Sequence, residues 1–218
     1  MQNKVVTRQK WIQERDELLI AEKAHTKARE ILAARRRALP WVKVEKEYEF
    51  ESPKGIVPFS DLFANCSQLA IYHLMFGDGW QRPCRGCTAW ANALNGTTYQ
   101  FEAIDAQLIA ISRAPFLQIA ESQKKNGWSF NWYSSAGSDF NLDYYVSAEN
   151  GEGGSEATIE GSDQVVEFDR GENHGASIFV MNDAGEIFHT YSVYNRGIED
   201  LNGALGYFDL LPKGRGDK

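Results

Sequence analysis

Two cysteines three positions apart, Cys84 and Cys87, carry the sharpest chemical signal in this chain. They stand in the run Pro83-Cys84-Arg85-Gly86-Cys87, after an apolar stretch and at the head of a helical stretch, CRGCTAWANAL. A helix N-terminus leaves N–H groups unpaired and carries a partial positive charge, and both favour a thiolate over a thiol. Arg82 and Arg85 are expected to add positive charge beside Cys84 and lower its pKa further. Cys84 should sit at the exposed tip, while Cys87, almost one turn on, faces the core. A thiolate attacks disulfides, and a second thiol one turn away can resolve the resulting mixed disulfide. The expected chemistry is therefore thiol–disulfide exchange, with Cys84 as nucleophile, Cys87 as resolving thiol and no bound cofactor. Two other readings stay open for the pair. A structural Zn site would need two more ligands from Cys66 and four histidines, which lack knuckle spacing. Alternatively, both thiols are simply buried and inert. Cys66 itself reads as a packed core thiol.

The elements that must position this pair follow from periodicity. Gln68–Phe76 (QLAIYHLMF) is apolar on both faces, as a central strand covered on both sides should be. The helix after Cys84 should stop at Asn95-Gly96, and a further helical segment is expected from about Thr97 to Ala106. Leu108–Ile111 reads as a second buried strand. Pro115 suits the first turn of a helix reaching Asn126, with Lys124 and Lys125 near its negative end. Ser177–Met181 and Ile187–Tyr194 read as strands joined by the turn Asn182-Asp183-Ala184-Gly185. Upstream, Val42–Phe50 reads as one strand and Gly55–Phe63 as a short strand entering a turn. Ile198–Leu210 reads as a last helix. This order predicts an α/β sandwich with a mixed central sheet.

Composition sets the frame. The chain has 218 residues, 43% of them hydrophobic and 24% charged, with a net charge of −7. That is ordinary for a globular protein, and the acidic balance argues against a nucleic-acid partner. No apolar run is long enough to span a membrane, and the first residues lack the apolar core of a signal peptide. Three cysteines do not make a secreted disulfide framework, so a cytoplasmic protein is expected. Residues 1–40 hold ten bases and five acids, a net +5, which leaves −12 for the rest. With no Gly or Pro from Trp11 to Leu39, they form an expected N-terminal helical arm (1–40) ahead of a domain (41–218). The arm is a candidate surface for a homodimer. Between Asp139 and Asn173 lie ten acids, one base and five glycines, so an acidic insertion is expected near 149–173, mobile over Glu149–Gly161. Trp128, Tyr133, Ser134, Ser135, Ser138 and Asp139 fit a substrate groove or an aromatic core equally well.

Several stretches carry a family resemblance: EKAHTKARE with RRALPWVKV, SQLAIYHLMFG, CRGCTAW, ISRAP, NGWSFNWYSSAGSDFN and FHTYSVYNRGIEDLNGALGYFDLLPKGR. Through them nearly the whole chain resembles the thioredoxin-like family of unknown function that is commonly labelled predicted dithiol–disulfide oxidoreductase. The resemblance implies a thioredoxin-like sandwich of peroxiredoxin-type layout, and its redox pair falls on Cys84 and Cys87. It implies as partners a dithiol electron donor and a disulfide or peroxide substrate. Trp80, Arg82, Arg85 and Arg113 become candidates for binding substrate or tuning the thiols. Two departures from thioredoxins stand out. Trp80 lies four residues before Cys84 rather than next to it, and no proline precedes Ser177–Met181, so Gly175 or Ala176 must fill the corner that a cis-proline usually takes. Peroxide reduction is the alternative activity, with Gln81 where peroxiredoxins carry Thr three residues before the reactive cysteine and Arg113 the candidate arginine. A binding module that kept the fold without the chemistry is the second alternative.

Overall fold

The computed structural model describes residues 3–148 and 155–216. It divides into two compact units, Met1–Pro40 and Trp41–Lys218. The first is one helix, α1 (Arg8–Arg37), capped by Thr7, whose hydroxyl accepts from the Lys10 amide at 3.3 Å. None of its residues is buried, so Trp11, Ile12, Leu18 and Ile31 leave an apolar stripe exposed. Arg35, Arg36 and Arg37 occupy its last turn, where the helix dipole favours cations.

The second unit begins with β1 (Val42–Lys43), β2 (Glu49–Ser52), β3 (Gly55–Pro58) and a 3-10 turn at Phe59–Phe63. It continues with β4 (Gln68–His73), α2 (Arg85–Asn95), α3 (Thr98–Glu102), β5 (Ala106–Ser112), α4 (Phe116–Asn126), β6 (Trp132–Ser134) and α5 (Phe140–Asp143). A hairpin of β7 (Glu156–Thr158) and β8 (Val165–Glu167) follows, then β9 (Gly175–Met181), β10 (Ile187–Tyr194), a 3-10 segment Asn195–Leu201 and α6 (Gly203–Leu210).

Eight strands form one mixed sheet in the order β1-β10-β9-β4-β5-β6-β2-β3. β4 pairs in parallel with β5 across the α2 crossover, and antiparallel with β9, which pairs antiparallel with β10. A parallel β-α-β unit and an antiparallel hairpin meeting at β4, with a helix after the hairpin, is the thioredoxin-like arrangement that the sequence predicts. Alternation along the strands splits the core by face. Tyr72, Ala110 and Ala176 pack with Cys87 and Ala91 of α2, Ile119 of α4 and Ile198. Leu69, Ile71, Ile109, Ile111 and Phe179 face the other way, onto Phe59, Leu62, Phe63, Phe140 and Tyr144. On that second face His73 Nε2 lies 2.8 Å from Ser177 Oγ, which lies 2.7 Å from Ser192 Oγ, and His189 Nε2 lies 2.7 Å from Ser192. Burial holds His73 neutral, its pKa lowered to about 3.

Several expected boundaries move. Val42–Phe50 is two strands, because Val42 and Lys43 pair with β10 at one side of the sheet while β2 pairs with β3 and β6 at the other. The segment expected as a helix to Ala106 ends at Glu102, since Ala106 already pairs with Gln68 in the sheet. The last helix breaks at Asn202, whose side chain accepts from the Ala204 amide and starts α6 anew. The stretch expected to be mobile contains β7, paired with β8, and Val166 and Phe168 are buried against Val146 and Tyr194. Residues 149–154 of that stretch lie outside the described residues. Trp128, Ser134 and Ser135 are buried, so the aromatic segment is core. Cys66 is half-buried rather than core, and its sulfur accepts from Gln107 Nε2 at 3.8 Å. No helix among the described residues is long and apolar enough to cross a membrane.

Candidate active site

The site lies where the chain leaves the carboxyl end of β4. After His73 the backbone stays buried through Leu74, Met75 and Phe76, then turns over Gly77–Pro83. The Cys84 amide returns to the Met75 carbonyl at 2.9 Å, and Cys84 becomes the N-cap of α2. Its carbonyl accepts from the Thr88 amide at 2.9 Å and the Thr88 hydroxyl at 3.0 Å, which closes the first turn. Cys84 is half-buried and Cys87 is 3% exposed, so one sulfur reaches solvent and the other faces the core.

The two thiols have opposite acidities for one reason. The Cys87 thiol donates to the Cys84 sulfur, and this bond is the main cause that lowers the Cys84 pKa, to about 5. The amides of Cys87 and Gly86 act in the same direction, although no side-chain hydrogen bond of full capping geometry forms at Cys84. Partial burial and the carboxylate of Asp169 oppose the shift. For Cys87 the same sulfur–sulfur bond, then burial, pushes the pKa well up. Arg82 and Arg85 are both exposed, and the depression at Cys84 arises from the Cys87 thiol and the helix amides instead. Arg82 precedes the helix and Arg85 opens it, and neither contributes to the shift at Cys84.

Tyr72 supports the pair from the sheet. It is buried, its ring stacks on Trp90 of α2 at 6.0 Å between centroids, and Cys87 is its electrostatic neighbour. Burial first, and then Cys87, raises its phenol pKa far enough that it stays a neutral donor.

Trp80 and Arg113 enter through a second cluster. Gly77 is the pivot, since a Cβ there would lie 2.9 Å from Trp80 Nε1 and 3.0 Å from Glu172 Oε1. Arg113 holds Glu172 Oε1 through Nη2 at 2.7 Å and Nε at 2.8 Å, and the Ser147 hydroxyl donates to Oε2 at 2.8 Å. Glu172 is 1% exposed, and its burial raises its carboxyl pKa against the pull of Arg113 and Ser147. The Arg170 guanidinium lies 3.8 Å from the Trp80 ring centroid, a cation–π contact. Asp169–Asn173 thus borders the site, tied down by the Asp169–Glu172 bridge and the bond from the Asn173 amide to the Val146 carbonyl. Sequence reading missed Glu172, Arg170 and Asp169, which sit in an acidic run with the composition of a surface loop. His174 is half-buried, and burial lowers its pKa while Cys84 pulls it the other way.

The corner before β9 is filled by Gly175, whose absent Cβ would meet the Val193 carbonyl and Tyr194 Cδ1 at 2.8 Å each. Only glycine fits so close to β10. All described peptide bonds are trans. No group of three or more metal-ligating side chains gathers among the described residues.

Residues 1–218 match the family described as bacterial protein of unknown function (DUF899). None of the curated proteins matches. Among solved structures, a cysteine-to-serine mutant of PrxQ from Xylella fastidiosa is 18% identical, with a TM-score of 0.47 over 73% of this chain and 88% of that one. A putative thiol:disulfide interchange protein DsbE from Chlorobium tepidum is 13% identical, with a TM-score of 0.45 over 78% and 95%. The peroxidoxin BcpB of Mycobacterium tuberculosis is 13% identical, with a TM-score of 0.46 over 72% and 85%.

Proposed function

The chain belongs to the DUF899 family of bacterial proteins of unknown function, and from the geometry of its two thiols we propose that it is a thiol–disulfide oxidoreductase. One observation carries this reading: an accessible sulfur at a helix N-terminus, acidified to about 5, bonded to a buried thiol of the opposite tendency.

In the proposed cycle the Cys84 thiolate attacks one sulfur of a substrate disulfide. A new S–S bond forms, the old one breaks, and the departing sulfur leaves as a thiolate that takes up a proton. The mixed disulfide removes the negative charge from Cys84. That charge is what chiefly holds Cys87 protonated, so the first step prepares the second. Cys87 then loses its proton, with Tyr72 beside it as a neutral donor to the new thiolate. It attacks Cys84, closes the Cys84–Cys87 bond and releases the second substrate thiol. Two electrons have passed from the protein to the substrate, and an external dithiol restores the reduced pair. No bound cofactor takes part. Trp80, with Arg170 over its ring, borders the approach to Cys84, and Arg113 acts by holding Glu172 under that border.

The test is a pair of variants in an insulin or glutathione-disulfide exchange assay. Cys84→Ser should abolish exchange. Cys87→Ser should accumulate mixed disulfides on Cys84, visible by mass spectrometry. A Cys84→Ser variant with full activity overturns the assignment.

A further inference from the structure

The 30 residues of α1 include none that is buried. A helix of that kind has no tertiary packing of its own, and packing of an apolar face is what chiefly stabilises helices in proteins. Such a face is present. Trp11, Leu18 and Leu32 stand at multiples of seven residues, with His25 at the remaining position, and Ala21 and Ala28 lie three residues after Leu18 and His25. Trp11, Leu18 and Leu32 are 48%, 55% and 42% exposed. A seven-residue repeat is the spacing that lets one helix lie along another.

The charges along α1 say which helix. Residues 14–22 hold four acids and one base, a net −3, while residues 23–37 hold six bases and one acid, a net +5. Glu14 and Glu22 already pair with Lys10 and Arg15 inside the helix. Asp16, Glu17, Arg35 and Arg37 make no ion pair among the described residues. A parallel pair of α1 helices would set Arg35–Arg37 against their own copies, and like charges facing each other select against that orientation. An antiparallel pair centred near His25 instead sets Asp16 and Glu17 of one copy beside Arg35–Arg37 of the other.

We propose that α1 is the interface of a homodimer, in which it packs antiparallel against α1 of a second copy along the Trp11, Leu18 and Leu32 stripe. The helix is its own complement in both apolar spacing and charge. The interface is independent of the thiol chemistry proposed for Cys84 and Cys87.

The experiment has two arms, both on the full chain. Sedimentation of the reduced protein over a dilution series should show twice the monomer mass at the concentrated end. Leu18→Glu combined with Leu32→Glu should be monomeric throughout, with the thermal midpoint of the 41–218 unit unchanged, since both side chains are exposed in the monomer. The second arm measures the distance between spin labels in the dimer, in a chain whose three native cysteines are replaced by Ser. A label at Gln9→Cys should lie about 50 Å from its copy, and one at Lys23→Cys about 15 Å. A short distance at both positions would mean a parallel pair, and a long distance at both would mean that α1 docks elsewhere. Either result overturns the proposal, as does a monomer at every concentration or a dimer that survives Leu18→Glu with Leu32→Glu. If that double variant does not fold, the label distances decide alone. No readout depends on disulfide exchange, so this proposal and the oxidoreductase reading fail separately.

Discussion

The acidity of Cys84 can be tested by removing its largest cause. Its pKa falls from an ordinary 9.0 to about 5, chiefly through the thiol of Cys87. The thiolate is the reactive species, so at pH 7 a thiol with the ordinary value would be about 1% active, and one at 5 about 99% active. Cys84 is half-exposed, so water screens part of this shift and the fraction ionised is a sounder measure than an energy. In a Cys66→Ser background, the rate of iodoacetamide alkylation of Cys84 would be followed from about pH 4 to about pH 10. The native pair should give a midpoint near 5. Cys87→Ala leaves only the helix amides, and the midpoint should rise by at least about one unit. Cys87→Ser, whose hydroxyl can still donate, should fall between the two. The same shift ties stability to pH. Because the folded value is depressed, Cys84 stabilises the reduced protein above the range of an unfolded thiol, and that contribution is lost as pH falls through about 5. A native midpoint between about 8 and 9, or one unmoved by Cys87→Ala, would refute the reasoning.

Three further outcomes follow from the same geometry. A stabilised thiolate favours the reduced pair, so the reduction potential in graded glutathione buffers should lie above about −270 mV, on the oxidising side of thioredoxin. A value below that would mean that some other feature sets the couple. Arg113→Ala leaves Glu172 buried without its cation and should cost about 3–5 kcal/mol in urea denaturation near neutral pH, more than Glu172→Gln costs. Burial raises the Glu172 carboxyl pKa, so the share of stability linked to its proton is present at low pH and lost as pH rises through the raised value. The Arg113→Ala penalty should therefore be smaller near pH 5 than near pH 8, and a penalty that grows on acidification would contradict this. Gly77→Ala should push Trp80 and Glu172 aside and cost about 1–3 kcal/mol, read as a lowered thermal midpoint.

Elements whose pairing follows from their own pattern were legible in the sequence. Gln68–His73 is apolar on both faces because β5 and β9 flank it and side chains cover both sides. Asn182–Gly185 reads as a turn because the Asn182 side chain accepts from the amides of Ala184 and Glu186. The two cysteines could be placed at a helix start from local signals alone. Contacts distant in sequence could not. Val42–Lys43 and Glu49–Ser52 read as one strand because nothing local says that they pair at opposite sides of the sheet. Glu172 looks like any acid of its run until Arg113, fifty-nine positions away, is brought beside it. Arg82 and Arg85 show the converse, neighbours in sequence that stay exposed and contribute nothing to the Cys84 shift.

Cys66 precedes β4 and Cys84 follows it, so the two stand at opposite ends of one strand. The six residues of β4 alone span roughly 20 Å, against the 7 Å at most between α-carbons that a disulfide can bridge. The folded monomer can therefore close only one ring, and Cys66 can serve as neither a spare resolving thiol nor a scrambling partner. Any covalent adduct on Cys66 must come from another molecule. On a non-reducing gel, intramolecular compaction reports the Cys84–Cys87 bond alone, and higher-mass bands that survive in a Cys84→Ser, Cys87→Ser variant belong to Cys66.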